Sequence, residues 1–192
     1  MTVLQNFSVV ILAYVLAHGL TALLITPMQS RLMPELTIFA SLAYLPHGVR
    51  VLSTWLLGKR AFLPLFLGAF LSEALFTPAE ISTPTQPLIL LSIAVGAASA
   101  PLAFEAMALA GRRVYAGQRA QIHWKWLLLA GALASVINSA GQSLVFSGHI
   151  LPDDSVAVVA IYAVGDLIGL IATTLALMLV FRWIRLFLNR AR

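Results

Sequence analysis

Apolar residues run along this chain in long blocks that show neither a two-residue alternation nor a charged helical face. The blocks predict spans at 6–26, 36–57, 61–77, 87–110, 125–147 and 156–184. Each approaches the roughly 20 residues needed to cross the hydrocarbon core of a bilayer; the third is short. Turn chemistry separates them: Pro27 and Pro34, Gly58-Lys59, Pro78 to Pro87, Gly111 to Gln121, and Pro152-Asp153-Asp154. In lipid every backbone N–H and C=O must be paired within the protein, which admits helices or closed barrels. Blocks without alternation select helices. The expected fold is therefore all-α, a single integral membrane domain over 1–192 built as a polytopic bundle of about six transmembrane helices. Within the second block stands Pro46-His47-Gly48. Proline removes an amide donor and clashes with the preceding turn, and glycine frees the backbone. The second helix is expected to be broken there, near mid-membrane.

Composition agrees with this reading. Of 192 residues 60% are hydrophobic and 10% charged, against roughly 25% charged in soluble domains, and mean hydropathy is +0.94. So few charges cannot cover a water-facing surface of this size. A net charge of +5 would suggest nucleic acid in a soluble protein, but the cations here follow topology. Lys59, Arg60, Arg112, Arg113, Arg119, Lys125, Arg182, Arg185, Arg190 and Arg192 all fall on one side of six crossings. Only Arg31 falls on the other, where Glu35, Glu80, Asp153 and Asp154 gather, and Arg50 lies inside a span. Basic loops face the cytoplasm, so both termini are expected there, in a bacterial plasma (inner) membrane, with no nucleic-acid partner. Trp124, Trp126 and Trp183 beside basic residues fit interfacial anchors. The first six residues hold no Lys or Arg, so the first block is read as a retained span and not a signal peptide. The absence of cysteine excludes disulfides, thiolate metal sites and cysteine nucleophiles.

Ionisable residues inside a span cost about 2.5–3.5 kcal/mol on insertion scales and mark packing pairs or functional sites. There are four: Arg50, Glu73, Glu105 and Asp166. By depth Arg50 can meet Asp166 or Glu105, and an Arg50–Asp166 contact is expected. Two readings stay open. The charges fix helix packing, or they line a polar pocket with His47 and the carboxamides of Asn138 and Gln142, one turn apart on the fifth helix. His18 is read as a histidine satisfied by an interhelical hydrogen bond. Gly96-Ala97-Ala98-Ser99-Ala100, the small residues from Gly131 to Gly141, and the Gly165–Gly169 pair are read as close-packing faces. No metalloprotease, nucleophile-elbow or phosphate-loop motif is present. No enzyme activity, metal or cofactor is expected.

Several of these residues resemble those of the MASE1 family of integral membrane sensor domains. Tyr44-Leu45-Pro46-His47-Gly48-Val49 is similar to the family's proline- and glycine-containing break. Gly58-Lys59-Arg60-Ala61-Phe62-Leu63-Pro64-Leu65-Phe66-Leu67-Gly68-Ala69 resembles the segment that follows it. Gly165-Asp166-Leu167-Ile168-Gly169 looks like its Gly-Asp-x-x-Gly element. Leu45 and His47 replace a Trp and a Pro of that pattern, Arg50 lies outside it, and the family commonly has eight spans. The resemblance implies a sensory or ligand-binding membrane module, here a short, free-standing variant that works through a partner membrane or signalling protein. The intramembrane polar residues and the resembling segments together give the candidate ligand-binding site or polar network: Pro46, His47, Gly48, Arg50, Glu73, Glu105, Asn138, Gln142, Gly165, Asp166 and Gly169. Two other readings fit the size and span count: a substrate-binding subunit of an energy-coupling-factor transporter, and an assembly subunit of a larger membrane complex.

Overall fold

The computed structural model describes residues 2–32, 41, 43–117, 124–146 and 155–190. Pro34, Glu35, residues 36–40, Arg119, Gln121, Pro152, Asp153, Asp154 and Arg192, which carry parts of the topology reading, lie outside the described residues. The first helix, α1 (Val3–Leu20), starts ahead of the expected boundary because Thr2 and Gln5 form a reciprocal capping box. Thr2 Oγ1 accepts from the Gln5 amide at 3.3 Å, and the Thr2 amide donates to Gln5 Oε1 at 2.8 Å. The chain then continues through a π-helical turn (Thr21–Ile25) into α2 (Thr26–Leu32). Pro27 was expected to end the span and does not. The Thr26 amide reaches back to the Thr21 carbonyl in the wider turn, so the hydrogen-bond ladder has already shifted where proline withholds its donor.

The second helix, α3 (Leu45–Leu57), is where the expected break falls. Pro46 sits in the first turn, a position whose amide has no intrahelical partner in any case. The proline therefore starts a helix and kinks none. Tyr44, just before it, is non-helical (φ −84°, ψ 87°). At the other end Gly58 adopts φ +62°, a conformation that suits glycine, and a short 3₁₀ turn (Gly58–Ala61) leads into α4 (Phe62–Phe76). This turn reverses the chain. Arg50 bonds the Tyr14 hydroxyl before the turn, and after it Gly68 lies against the Tyr14 side chain, so α3 and α4 form an antiparallel hairpin on α1. Helices α5 (Pro87–Leu109), α6 (Trp124–Val145) and α7 (Ser155–Arg190) complete the bundle.

Pairwise contacts fix the directions. Lys59 meets Glu105 at one end, called here the basic end, where Arg112 also stacks on Trp126. Ser92 meets Gln142 away from it, and Leu170 meets Gly131 between. Successive passes α1, α3, α4, α5, α6 and α7 thus alternate in direction. Among the described residues five segments are long and apolar enough to cross a membrane: Val3–Leu32, Leu45–Phe76, Pro87–Leu109, Trp124–Val145 and Ala163–Val180. The expected count of about six is close. The difference lies in Leu45–Phe76, an apolar segment folded on itself at Gly58 whose halves, at 13 and 15 residues, are each only about 20 Å long.

The distribution of side chains is that of a multi-pass membrane protein in contact with lipid. Leu12, Leu16, Leu20 and Leu23 are exposed along one face of the first segment. The interior instead holds His47, Arg50, Thr54, Ser72, Ser99, Ser135, Asn138, Ser139 and Asp166. Two alanine-rich clusters pack around this polar centre. Val10, Tyr14, Ala17, Leu65 and Ala97 contribute to one, and Val51, Ala100, Phe104, Ala134 and Leu170 to the other. Small residues let helix backbones approach where burial of apolar surface supplies no driving force.

Candidate ligand cavity

The site begins with the backbone just ahead of α3. The Tyr44 amide donates to the Gly165 carbonyl at 3.0 Å. Gly169 lies directly on the Tyr44 carbonyl, where a Cβ has no room. The Leu45 amide donates to Thr21 Oγ1 at 3.3 Å, and Thr173 Oγ1 donates to the Leu45 carbonyl at 3.1 Å. Gly48 fits against Thr173. The Gly165–Gly169 pair thus admits non-helical chain to the face of α7, and does not simply bring two helices together. Pro46, Gly48, Gly165 and Gly169 are scaffold. They satisfy peptide groups that lipid cannot and aim the side chains of the first turns of α3.

His47 and Arg50, three residues apart on α3, point to different neighbours. His47 Nε2 lies 3.1 Å from the Gly131 carbonyl on α6, and Nδ1 lies 3.3 Å from Asp166 Oδ2 on α7, off the direction of a well-formed hydrogen bond. Both side chains are sealed from solvent. A carbonyl oxygen only accepts, so Nε2 carries a proton. Nδ1 and Asp166 Oδ2 are neighbours without a hydrogen-bond partner among the described residues.

The expected Arg50–Asp166 contact is not formed. The anchoring of Tyr44 on α7 places His47 beside Asp166, and Arg50 turns toward α1 and α5. Its Nη2 donates to the Tyr14 hydroxyl at 2.9 Å. Its guanidinium carbon lies 5.7 Å from the Tyr14 ring centre and 5.4 Å from that of Tyr44, within cation–π range. The Tyr14 and Tyr44 hydroxyls lie 3.4 Å apart. Gly96 makes the space: a Cβ there would sit 2.6 Å from Nη2. Arg50 is 5% exposed, and its Nε and Nη1 have no acceptor among the described residues.

These groups border a cavity of about 330 Å³. Tyr14, His18, Tyr44, Arg50, Glu73, Asn138, Gln142 and Asp166 line it, together with Ser41, Ser92, Phe146 and apolar residues of α4 and α5. Gln142 is held by Ser92, whose hydroxyl donates to Oε1 at 2.9 Å while Nε2 donates to the Ser92 carbonyl at 3.1 Å. Glu73 accepts from the Ser82 hydroxyl. Glu105 is elsewhere. At the basic end it lies 2.9 Å from Lys59 Nζ and accepts from the Tyr115 hydroxyl at 2.6 Å, tying the α3–α4 turn to the segment after α5. Burial, and then the bond to Glu105, push the Tyr115 hydroxyl above its ordinary value.

Sequence reasoning missed Tyr14, Tyr44 and Ser92. Tyr14 and His18 are four residues apart and Thr21 follows three later, a polar stripe on one face of α1 that was available as a signal. His18 also differs from its expected role. Its ring stacks on Phe76, with centres 5.8 Å apart, and meets Tyr44 edge-on at 6.3 Å, while Nδ1 has no hydrogen-bond partner among the described residues.

Comparison with protein-family models, curated proteins and solved structures returns no match. The chemistry is therefore argued from the cavity alone. A permanently charged guanidinium with free donors, two carboxamides and two carboxyl groups border one space inside an apolar bundle. Such a lining has the chemistry to hold and orient a small polar molecule. No activated nucleophile is among these contacts.

Proposed function

We propose that this chain is a membrane-embedded ligand-binding module that recognises a small polar molecule inside its helix bundle and reports occupancy to a partner membrane or signalling protein. One observation carries the reading. Arg50 is buried, its Nε and Nη1 lack acceptors among the described residues, and it borders a cavity of about 330 Å³, a volume at the small end of ligand sites. A group chosen only to pin helices together would have its donors satisfied, because an unpaired buried charge is costly. The resemblance of Tyr44–Val49, Gly58–Ala69 and Gly165–Gly169 to MASE1 sensor domains supports a sensory role. The anchoring of Tyr44 on Gly165 and Gly169 gives those residues a shared task. The positive-inside bias supports a bacterial inner-membrane location, with the basic end and both termini cytoplasmic.

The test is native mass spectrometry of the protein extracted gently from its own membrane. A retained small molecule, absent from Arg50→Gln, is the expected result. A folded wild-type protein that carries no small molecule, together with a tightly bound protein subunit, would replace this reading with an assembly role. Co-purification with a paired ATPase and a retained solute would replace the sensor with a transport subunit.

A further inference from the structure

We infer that the cavity takes a zwitterion, a small amino acid whose carboxylate meets Arg50 and whose ammonium group meets Glu73; this rests on the ligand-binding reading above and names the ligand class. The argument is one of charge. Asp166 also lines the cavity, but it lies beside His47 and outside ion-pairing range of Arg50. Arg50 remains positive, since a guanidinium does not deprotonate in proteins. Its protein partners are a tyrosine hydroxyl and two tyrosine rings, all neutral. Glu73 lines the same cavity, and its hydrogen-bond donor, the Ser82 hydroxyl, is also neutral. Among the described residues neither Arg50 nor Glu73 has an oppositely charged side chain in ion-pairing range.

One positive and one negative group therefore border a single space, neither of them in an ion pair among the described residues. They are not adjacent. Arg50 is bonded to Tyr14, which packs on Gly68, and Glu73 follows five residues later on α4, about 7.5 Å farther along the axis. A simple anion would answer Arg50 and bring a like charge toward Glu73, and a simple amine would do the reverse. A molecule carrying both charges a few atoms apart compensates each. Asn138 and Gln142 supply neutral donors and acceptors on the same lining. The cavity volume limits the molecule to a small amino acid.

The experiment measures binding to the full-length protein in detergent or nanodiscs by calorimetry. The probes are glycine, β-alanine and γ-aminobutyrate, each set against the carboxylic acid and the amine of matching length. At least one amino acid is expected to bind ten times or more tighter than both of its single-charge counterparts. Glu73→Gln, a near-isosteric change at a half-buried position, is expected to erase that preference by weakening the amino acid's binding and removing the repulsion of the carboxylic acid. Equal binding of the carboxylic acid and the amino acid, or a preference that survives in Glu73→Gln, would overturn the inference. A failure of every probe would overturn it as well. The two proposals then separate by the native mass spectrum. A retained molecule of another charge class leaves a ligand site with a different occupant, and a protein that retains nothing removes the ligand site itself.

Discussion

The pairing of His47 with Asp166, in place of Arg50 with Asp166, makes a quantitative prediction for a pair of double-mutant cycles. His47→Leu leaves the buried Asp166 without its neighbouring imidazole. Removing one member of a buried pair costs about 3–5 kcal/mol, and Asp166→Leu should fall in the same range because it strands Nδ1. Removing both together leaves no stranded group, so the double variant should be at least ~2 kcal/mol less damaged than the sum of the single changes. Asp166→Asn is a milder probe, expected to cost ~1 kcal/mol. Its amide can donate to a neutral Nδ1 while Nε2 keeps the Gly131 carbonyl. The second cycle joins Arg50→Met to Asp166→Leu. No direct bond links these residues among the described contacts, and their coupling should be smaller than that between His47 and Asp166. The assay is reversible unfolding in mixed micelles, with helix content checked by circular dichroism for every variant. Coupling below ~0.5 kcal/mol between His47 and Asp166 would refute the pairing. Larger coupling to Arg50 than to His47 would restore the contact that depth alone suggested.

Three other outcomes follow from single contacts. Gly96→Ala places a methyl group 2.6 Å from Arg50 Nη2. It should shift the guanidinium off Tyr14 and weaken binding of the retained ligand or amino-acid probe by about tenfold or more, a loss of at least ~1.4 kcal/mol, with unchanged affinity counting against the Arg50 site. Gly169→Ala meets the Tyr44 carbonyl, which is backbone and cannot swing away. It should destabilise by about 1–3 kcal/mol, read by micelle unfolding against Glu80→Gln, at an exposed position between α4 and α5, as a control. Tyr115→Phe tests the basic-end latch through pH. The folded-state value of Tyr115 is raised above the ordinary 10.0, so its bond to Glu105 contributes fully below pH 10 and is lost as pH rises through the folded value. The stability gap between wild type and Tyr115→Phe should be flat up to about pH 9 and narrow above 10, and a gap that widens there would contradict the bond.

Much of the architecture was legible in the sequence because lipid leaves a chain few options. Long unbroken apolar blocks can only be helices, and the tight Gly58-Lys59 turn marked the reversal between α3 and α4. What stayed hidden was direction around a helix axis. Depth put Arg50 and Asp166 at similar levels, but depth is one coordinate, and the choice between Arg50 and His47 turns on which face of α3 meets α7. That choice is made by Gly165 and Gly169, which looked like a contact face for a helix and instead receive the extended backbone at Tyr44. The same limit explains Glu105. It counted as an intramembrane charge from its place in an apolar block, but the last turn of α5 carries it to the solvent edge, where Lys59 and Tyr115 hold it. The effect of a proline likewise depends on the turn in which it falls. Pro46 begins a helix where its missing donor costs nothing, and Pro27 follows a π-helical turn that had already shifted the ladder. The residues that build the cavity wall around Arg50, Tyr14 and Tyr44 among them, were passed over because a tyrosine in an apolar run reads as bulk. In a membrane interior a hydroxyl must find a partner, and Tyr14 finds it in the one cation of the described spans that lies at the centre of the bundle. That cation retains donors without acceptors among the described residues, and it borders the same cavity as the Glu73 carboxyl group.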